Sequence, residues 1–207
     1  MKELGSAPFV FEMLLPKEFV AYLGRQLAAR LPSSMIEIAN RSAVGDLCVN
    51  VIMDEMMIEE KLNDEVRVIL DEYSVYMANN AISYSEMFRR IKNQLLQQRK
   101  IVKAAGRDTG DPMKLSRDKI NEISHKLLIG LKRSRDCRIR KNENDLRLEI
   151  VRIMADLLMN EEKADKAARA KIRSMKREVQ ETTEEWDLLH KRYYADELKN
   201  YGINMTS

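Results

Sequence analysis

The sequence predicts an all-α protein of two pseudo-equivalent helical bundle units that arose by internal duplication. Three observations predict it. Glycine and proline are scarce, 7 and 4 in 207 residues, while charged residues reach 33% and hydrophobic ones 44%; that is the balance of a soluble, mostly helical chain. The stretch from Asn144 to Lys163 carries Leu146, Ile150, Ile153, Met154 and Leu157 at the spacing of one buried helix face. The stretch from Asp46 to Lys61 repeats it, with Leu47, Val49, Ile52, Met53, Met56, Met57 and Ile58 each 101 positions before an apolar residue of the later copy. A one-residue slip then aligns Glu59-Glu60-Lys61 with Glu161-Glu162-Lys163.

Residues 1–12 read as a tail. The first repeat unit, 13–102, opens at Pro16-Lys17-Glu18, with proline at a helix start and an acid near the positive end of the dipole. Phe19, Leu23, Leu27 and Leu31 form that helix's apolar stripe, and Pro32 stops it. A second helical segment is expected over 35–60, with Gly45 a break. Asn63 reads as the cap of a third, striped by Val66, Ile69, Leu70, Tyr73 and Met77 and closed by Asn79-Asn80. Ser83-Tyr84-Ser85-Glu86 spells a capping box for a fourth, carrying Met87, Phe88, Ile91 and Leu95. Residues 103–112, KAAGRDTGDP, gather two glycines, two aspartates and a proline, and read as the linker.

The second unit, 113–207, repeats the order. Leu115, Ile120, Ile123, Leu127 and Leu131 lie 100 positions after Leu15, Val20, Leu23, Leu27 and Leu31. A constant offset through a helix-length window argues for duplication rather than shared composition. Lys132 to Lys141 reads as a polar basic connection, and Asn142 as the cap of the next helix. Further helices are expected near 163–179 and 183–200, the last opened by Thr182. No stretch alternates convincingly with a period of two, so no strand is expected. A unit of ~90 residues buries a limited core, so the two units are expected to pack on each other.

Several blocks resemble a known family. These are MKLSRDKINEISHKLL at 113–128, ENDLRLEIVRIM at 143–154 and EEWDLLHKRYYADELKNYGI at 184–203, with EEKLNDEVRVIL at 59–70 and MFRRIK at 87–92. They are similar to the bacterial domain-of-unknown-function family numbered 507, across about nine-tenths of the chain, and the arrangement resembles two copies in tandem. His190 stands where an aromatic is expected. The resemblance implies no activity.

Candidate chemistry is sparse. His125 and His190 have no second His or Cys at helical spacing, and Glu122-Ile-Ser-His125 matches a bundle-metal pair only once. Glu55, Glu59, Glu60, Asp156, Glu161 and Glu162 interleave with cations at helical spacing and are expected to be solvated ion pairs. Cys48 faces an apolar stripe. Cys137 sits among Arg133, Arg135, Arg138 and Arg140, and cations of that kind lower a thiol's pKa. No glycine-rich phosphate loop, G-x-S-x-G or H-E-x-x-H occurs. The chain is therefore expected not to be an enzyme and to need no cofactor or metal.

Charge is more informative. Residues 1–106 hold 13 basic against 14 acidic side chains, and the remainder 23 against 19. Lys132, Arg133, Arg135, Arg138, Arg140 and Lys141 crowd one connection. Lys166, Arg169, Arg173, Lys176 and Arg177 recur at three- and four-residue steps along one helix side. Such rows are solvated faces or contacts to RNA or DNA phosphates. Trp186, Tyr193 and Tyr194 are core anchors or a protein interface. The expected role is a non-catalytic protein-interaction or assembly factor with an unknown protein partner, self-association included. The alternative is a nucleic-acid- or ribosome-associated protein. No apolar run reaches the ~18 residues of a membrane span. The start does not read as a signal peptide, and two widely spaced cysteines fit the reducing cytoplasm.

Overall fold

Pro16 fixes the chain just before α1 (Lys17–Arg30), and the backbone C=O of Pro16 accepts from Val20 N–H at 3.0 Å. Phe19, Val20, Leu23 and Leu27 are buried along its face. A computed structural model describes residues 14–177, 179–181 and 183–204. The predicted tail and the Thr182 cap lie outside the described residues.

After α1 the chain forms a short strand, β1 (Ile36–Ile38), and then α2 (Arg41–Glu72), capped by Asn40 accepting from Ala43 N–H at 3.1 Å. The short helix α3 (Ser74–Asn79) and then α4 (Tyr84–Arg99) follow. The order then recurs. It runs α5 (Arg117–Arg133), β2 (Cys137–Ile139), α6 (Glu143–Arg173) and α7 (Glu184–Asn200). The protein is all-α, apart from the two strands.

β1 and β2 pair antiparallel with Glu37 opposite Arg138. Two expectations fail here: 35–60 is not all helix, and 132–141 is not merely a connection. The alternation is present, as Ile-Glu-Ile and Cys-Arg-Ile, but three residues are too few to stand out from noise. Ile36, Ile38, Cys137 and Ile139 face the main core, and Glu37 and Arg138 are exposed.

Asn63 does not begin a helix. α2 runs through it, because an interior asparagine costs only ~0.7 kcal/mol and the buried stripe continues through Val66 and Leu70. Gly45 is no break either; it is buried inside α2. Likewise α6 is continuous to Arg173, so no separate helix starts at 163. The Ser83 capping box does not form; Ser83 Oγ pairs with Ser85 Oγ at 2.9 Å instead. Ser116 does cap α5, accepting from Lys119 N–H at 3.1 Å.

The buried positions of the two long helices keep one register. Val44, Cys48, Ile52, Met56, Leu62, Val66 and Leu70 are matched by Leu146, Ile150, Met154, Leu158, Ala164, Ala168 and Ile172, each 102 residues later. The expected 101-residue register and its slip are therefore corrected. Under 101, half-buried Leu47 would oppose exposed Leu148. Asn40 and Asn142, the two caps, also sit 102 apart.

The main core draws on α1, α2, α5, α6 and α7 together, so residues of both halves fill one interior. Part of the segment expected as a linker is packed: Ala104, Ala105 and Gly106 are buried, and Gly106 N–H donates to Lys114 C=O at 2.7 Å, while residues 107–110 are exposed. A smaller cluster under the far end of α2, built on Val66, Leu70 and Met77, packs separately against α4.

Gly24 sets the closeness of α1 and α2. A Cβ there would lie 2.5 Å from Val49 Cγ2 and 2.7 Å from Val49 N. Backbone cannot step aside as a side-chain tip does, so overpacking outweighs the ~1 kcal/mol of helix propensity that alanine brings. Gly24→Ala is expected to destabilise by about 1–3 kcal/mol, seen as a lower denaturation midpoint. Gly130→Ala, whose nearest neighbour is the mobile Leu47 Cδ2 at 3.1 Å, is expected to cost less.

Candidate functional site

Three features of the described residues go beyond simple apolar packing: a polar ladder between α6 and α7, an apolar tip at α2–α3, and the cationic end around the sheet.

The ladder follows from helical spacing. Trp186, His190 and Tyr194 stand four apart on α7, so their rings stack on one face at 4.8 and 5.6 Å between centroids. Glu161, Asp165 and Arg169 stand four apart on α6 and meet them rung by rung. Tyr194 OH donates to Glu161 Oε1 at 2.5 Å, His190 Nε2 lies 2.9 Å from Asp165 Oδ1, and the Arg169 guanidinium lies 5.1 Å from the Trp186 ring centroid. Lys114 reaches in from the connection before α5, donating to Glu161 Oε1 at 2.5 Å.

Burial decides the electrostatics. Glu161 is fully buried, which pushes its carboxyl above the ordinary value despite Lys114 and Tyr194, and its Oε2 has no hydrogen-bond partner among the described residues. Burial also works against the Asp165 carboxylate, but His190, Lys114 and Arg169 outweigh it and hold that group well below the usual range. Burial drives the Tyr194 hydroxyl far up.

The equivalent rungs 102 residues earlier are Glu59, Asn63 and Arg67 on α2 against Tyr84, Phe88 and Lys92 on α4. Glu59 pairs with Lys92 at 2.5 Å and accepts from Ala104 N–H at 2.8 Å. Tyr84 and Phe88 stack at 6.4 Å, and Arg67 lies 5.9 Å from the Phe88 centroid. A second buried ion group links α2 to α5. Glu55 accepts from Lys119 at 2.9 Å and from Lys126. Burial alone would raise the Glu55 carboxyl, yet these two lysines hold it below its ordinary value. Glu55, Glu161 and Asp165 are thus interior groups; the expectation that Glu55 and Glu161 are solvated is corrected.

The sequence-predicted residues divide as follows. On α6, Lys166 pairs with Glu162 at 3.3 Å, Arg169 with Asp165 at 2.8 Å and Arg173 with Glu181 at 2.8 Å. The expected row along one helix does not continue, because α6 ends at Arg173 and Lys176 and Arg177 lie in the turn beyond it, Lys176 exposed and Arg177 paired with Glu185 at 2.5 Å. At the sheet end, Lys132 pairs with Glu143 and Arg140 with Glu37, each at 2.8 Å. Arg133, Arg135, Arg138 and Lys141 are exposed and close no ion pair within 4 Å among the described residues. Trp186 and Tyr194 are 7% and 8% exposed, their rings engaged inside the chain, and Tyr193 is half-buried. His125 is exposed. The Cys137 thiol is pushed up by burial and by Asp136, contrary to the activation expected from its arginines, and burial takes Cys48 to about 12. Among the described residues no group of three His, Cys, Asp or Glu side chains is placed to hold a metal ion.

The tip was not foreseen. Val68, Val75 and Tyr76 are 62%, 70% and 55% exposed, with Tyr73 and Tyr84 about half exposed beside them. Val68 lies in the last turns of α2, and Val75 and Tyr76 lie in the first turn of α3, across the turn at Tyr73. The available signal was the comparison at offset 102, where Val75 meets Arg177.

What these features define is a helical protein with buried polar cross-links and no helix, among the described residues, long and apolar enough to cross a membrane. The chain belongs to the family described as Protein of unknown function (DUF507), which matches residues 13–203. No curated protein matches it.

Proposed function

We propose that this chain is a non-catalytic docking protein of the cytoplasm, built by internal duplication, that binds a protein partner through the 68–84 tip of its first half. Duplication is supported by the shared register of buried positions, the paired asparagine caps and the two ladders at offset 102.

The observation that carries the docking reading is the asymmetry of the two tips. At offset 102 the second half carries Ala170, Lys176 and Arg177 where the first has Val68, Ser74 and Val75, and there the chain leaves α6 through a turn at 174–177 where the first half enters α3. The exposed valines are therefore a feature of the first half's own sequence. Tyrosine is among the residues enriched in binding hot spots, and the valines beside it add apolar area that a partner can cover.

The test is a photo-crosslinking side chain placed at Tyr76 in the native cell, with Lys176 as the comparison site. The expected result is a discrete protein adduct from position 76 only, lost when Val75→Glu is added. Equal labelling from both sites, or an adduct that nuclease removes, would overturn the reading.

A second reading, nucleic-acid association, has its own support in the unpaired cations of the sheet end.

A further inference from the structure

We infer that the sheet end is a phosphate-backbone surface for double-stranded nucleic acid, engaged without reading its sequence. This rests on the nucleic-acid reading and is separate from the tip.

Backbone pairing gathers the charge. Ala39 and Asn40 N–H donate to Asp136 C=O at 2.7 and 3.3 Å, and Arg140 and Lys141 N–H donate to Met35 C=O at 2.8 and 3.3 Å. These bonds hold the start of α2 against Arg135 and the start of α6 against β1. The two segments 30–41 and 132–145 contain eight basic side chains against four acidic ones. Pleating turns Arg138 outward beside Glu37, and Glu37 is occupied by Arg140 at 2.8 Å. Arg41, Arg133, Arg135, Arg138 and Lys141 are exposed and close no ion pair within 4 Å among the described residues, although the Arg138 charge also acts on Glu37 across the sheet. The α6 row, by contrast, is largely neutralised by its own acids.

Beside the strands lies a cleft of about 270 Å³ lined in part by Ser33, Arg41 and Arg140. Glu37 also lines it and is paired with Arg140 at 2.8 Å, which leaves the Ser33 hydroxyl and the Arg41 guanidinium as the donors suited to phosphate oxygens. Neither segment contains Phe, Tyr or Trp. Bases of a single strand would find no ring to stack on, whereas a duplex presents only its phosphate rails to such a surface.

The experiment measures binding of labelled short duplexes of two unrelated sequences, the matching single strand, an acidic peptide and phosphatidylserine vesicles, at several salt concentrations. Five phosphate contacts predict a log–log salt slope of about −4.5 for duplex DNA. Both duplexes are expected to bind alike and more tightly than the strand, peptide or vesicles. Arg135→Glu/Arg138→Glu/Lys141→Glu is expected to weaken duplex binding at least tenfold and flatten the slope by about 3. Lys166→Gln/Arg173→Gln/Lys176→Gln is expected to change it less than twofold. Circular dichroism checks that both variants are folded.

Duplex binding lost only in the α6 variant would overturn this inference while leaving the nucleic-acid reading intact. No salt-sensitive duplex binding at low salt would end both. Tighter binding to the strand, the peptide or the vesicles would overturn the duplex assignment.

Discussion

Glu55→Leu is expected to destabilise the protein by about 3–5 kcal/mol, the cost of breaking a buried ion pair from one side. Lys119 is buried almost completely, and Glu55 is its buried counterion at 2.9 Å. Removing the carboxylate leaves the ammonium inside with only half-buried Glu122, also at 2.9 Å. Lys126 loses less, because it is partly exposed and retains Glu122. The informative comparison is the double variant Glu55→Leu/Lys119→Met. Leu157 lies 102 positions after Glu55 and Phe19 lies 100 positions before Lys119, and both are buried. The other half thus fills the matching places with apolar side chains. Replacing both members of a buried pair by apolar groups of similar volume is often neutral, so the double variant is expected to recover most of the loss. Denaturation midpoints of the two single variants and the double variant give the coupling directly. A double variant no more stable than Glu55→Leu would mean that the pair has no apolar substitute here.

That comparison also shows where the sequence was readable. Long apolar stripes were: Leu146 to Leu157 on α6, and the α1 and α5 stripes at offset 100, are buried as their spacing demands. The asparagine cap at 142 was readable because it precedes an apolar-periodic run. Short or compensated features were not. Three-residue strands carry too little alternation to stand out. Asn63 resembled a cap because cap propensity is local, while α2's continuation is decided by burial; Ser83 does stand at the start of α4, but its side chain caps nothing. Glu55 and Glu161 resembled surface charges, since spacing places a residue on a face without saying that an opposite charge waits there. The ladder was hidden for the same reason. Its outline becomes visible only when Tyr84-Phe88-Lys92 is set beside Trp186-His190-Tyr194.

Asp165→Ala is expected to loosen α7 from α6 at a cost of about 3 kcal/mol, the low end for a buried charged partner. The low end applies because Arg169 reaches solvent and Lys114 keeps Glu161 as its acceptor. His190 loses its carboxylate, and the rings of Trp186 and Tyr194 lose the rung that aligns the middle of the stack. Amide hydrogen exchange is expected to quicken along α7 more than along α4. Asp165→Asn/His190→Phe copies the equivalent Asn63 and Phe88 and is expected to cost less than Asp165→Ala. The pH dependence has a definite sign. The Asp165 carboxylate is held below its ordinary value, so its contribution is complete above the unfolded-state pKa and disappears as pH falls through the depressed folded value. Glu161 acts oppositely: its carboxyl is raised, so its burial penalty is complete above the folded value and is relieved as pH falls toward the unfolded one. Mild acidification is therefore expected to tighten α7 through Glu161 before stronger acid releases it through Asp165. Glu161→Gln should remove the first phase and keep the second, because its amide oxygen can still accept from Tyr194 and Lys114. A stability profile that falls monotonically from neutral pH in the unaltered chain would mean that Glu161 is not the group being relieved.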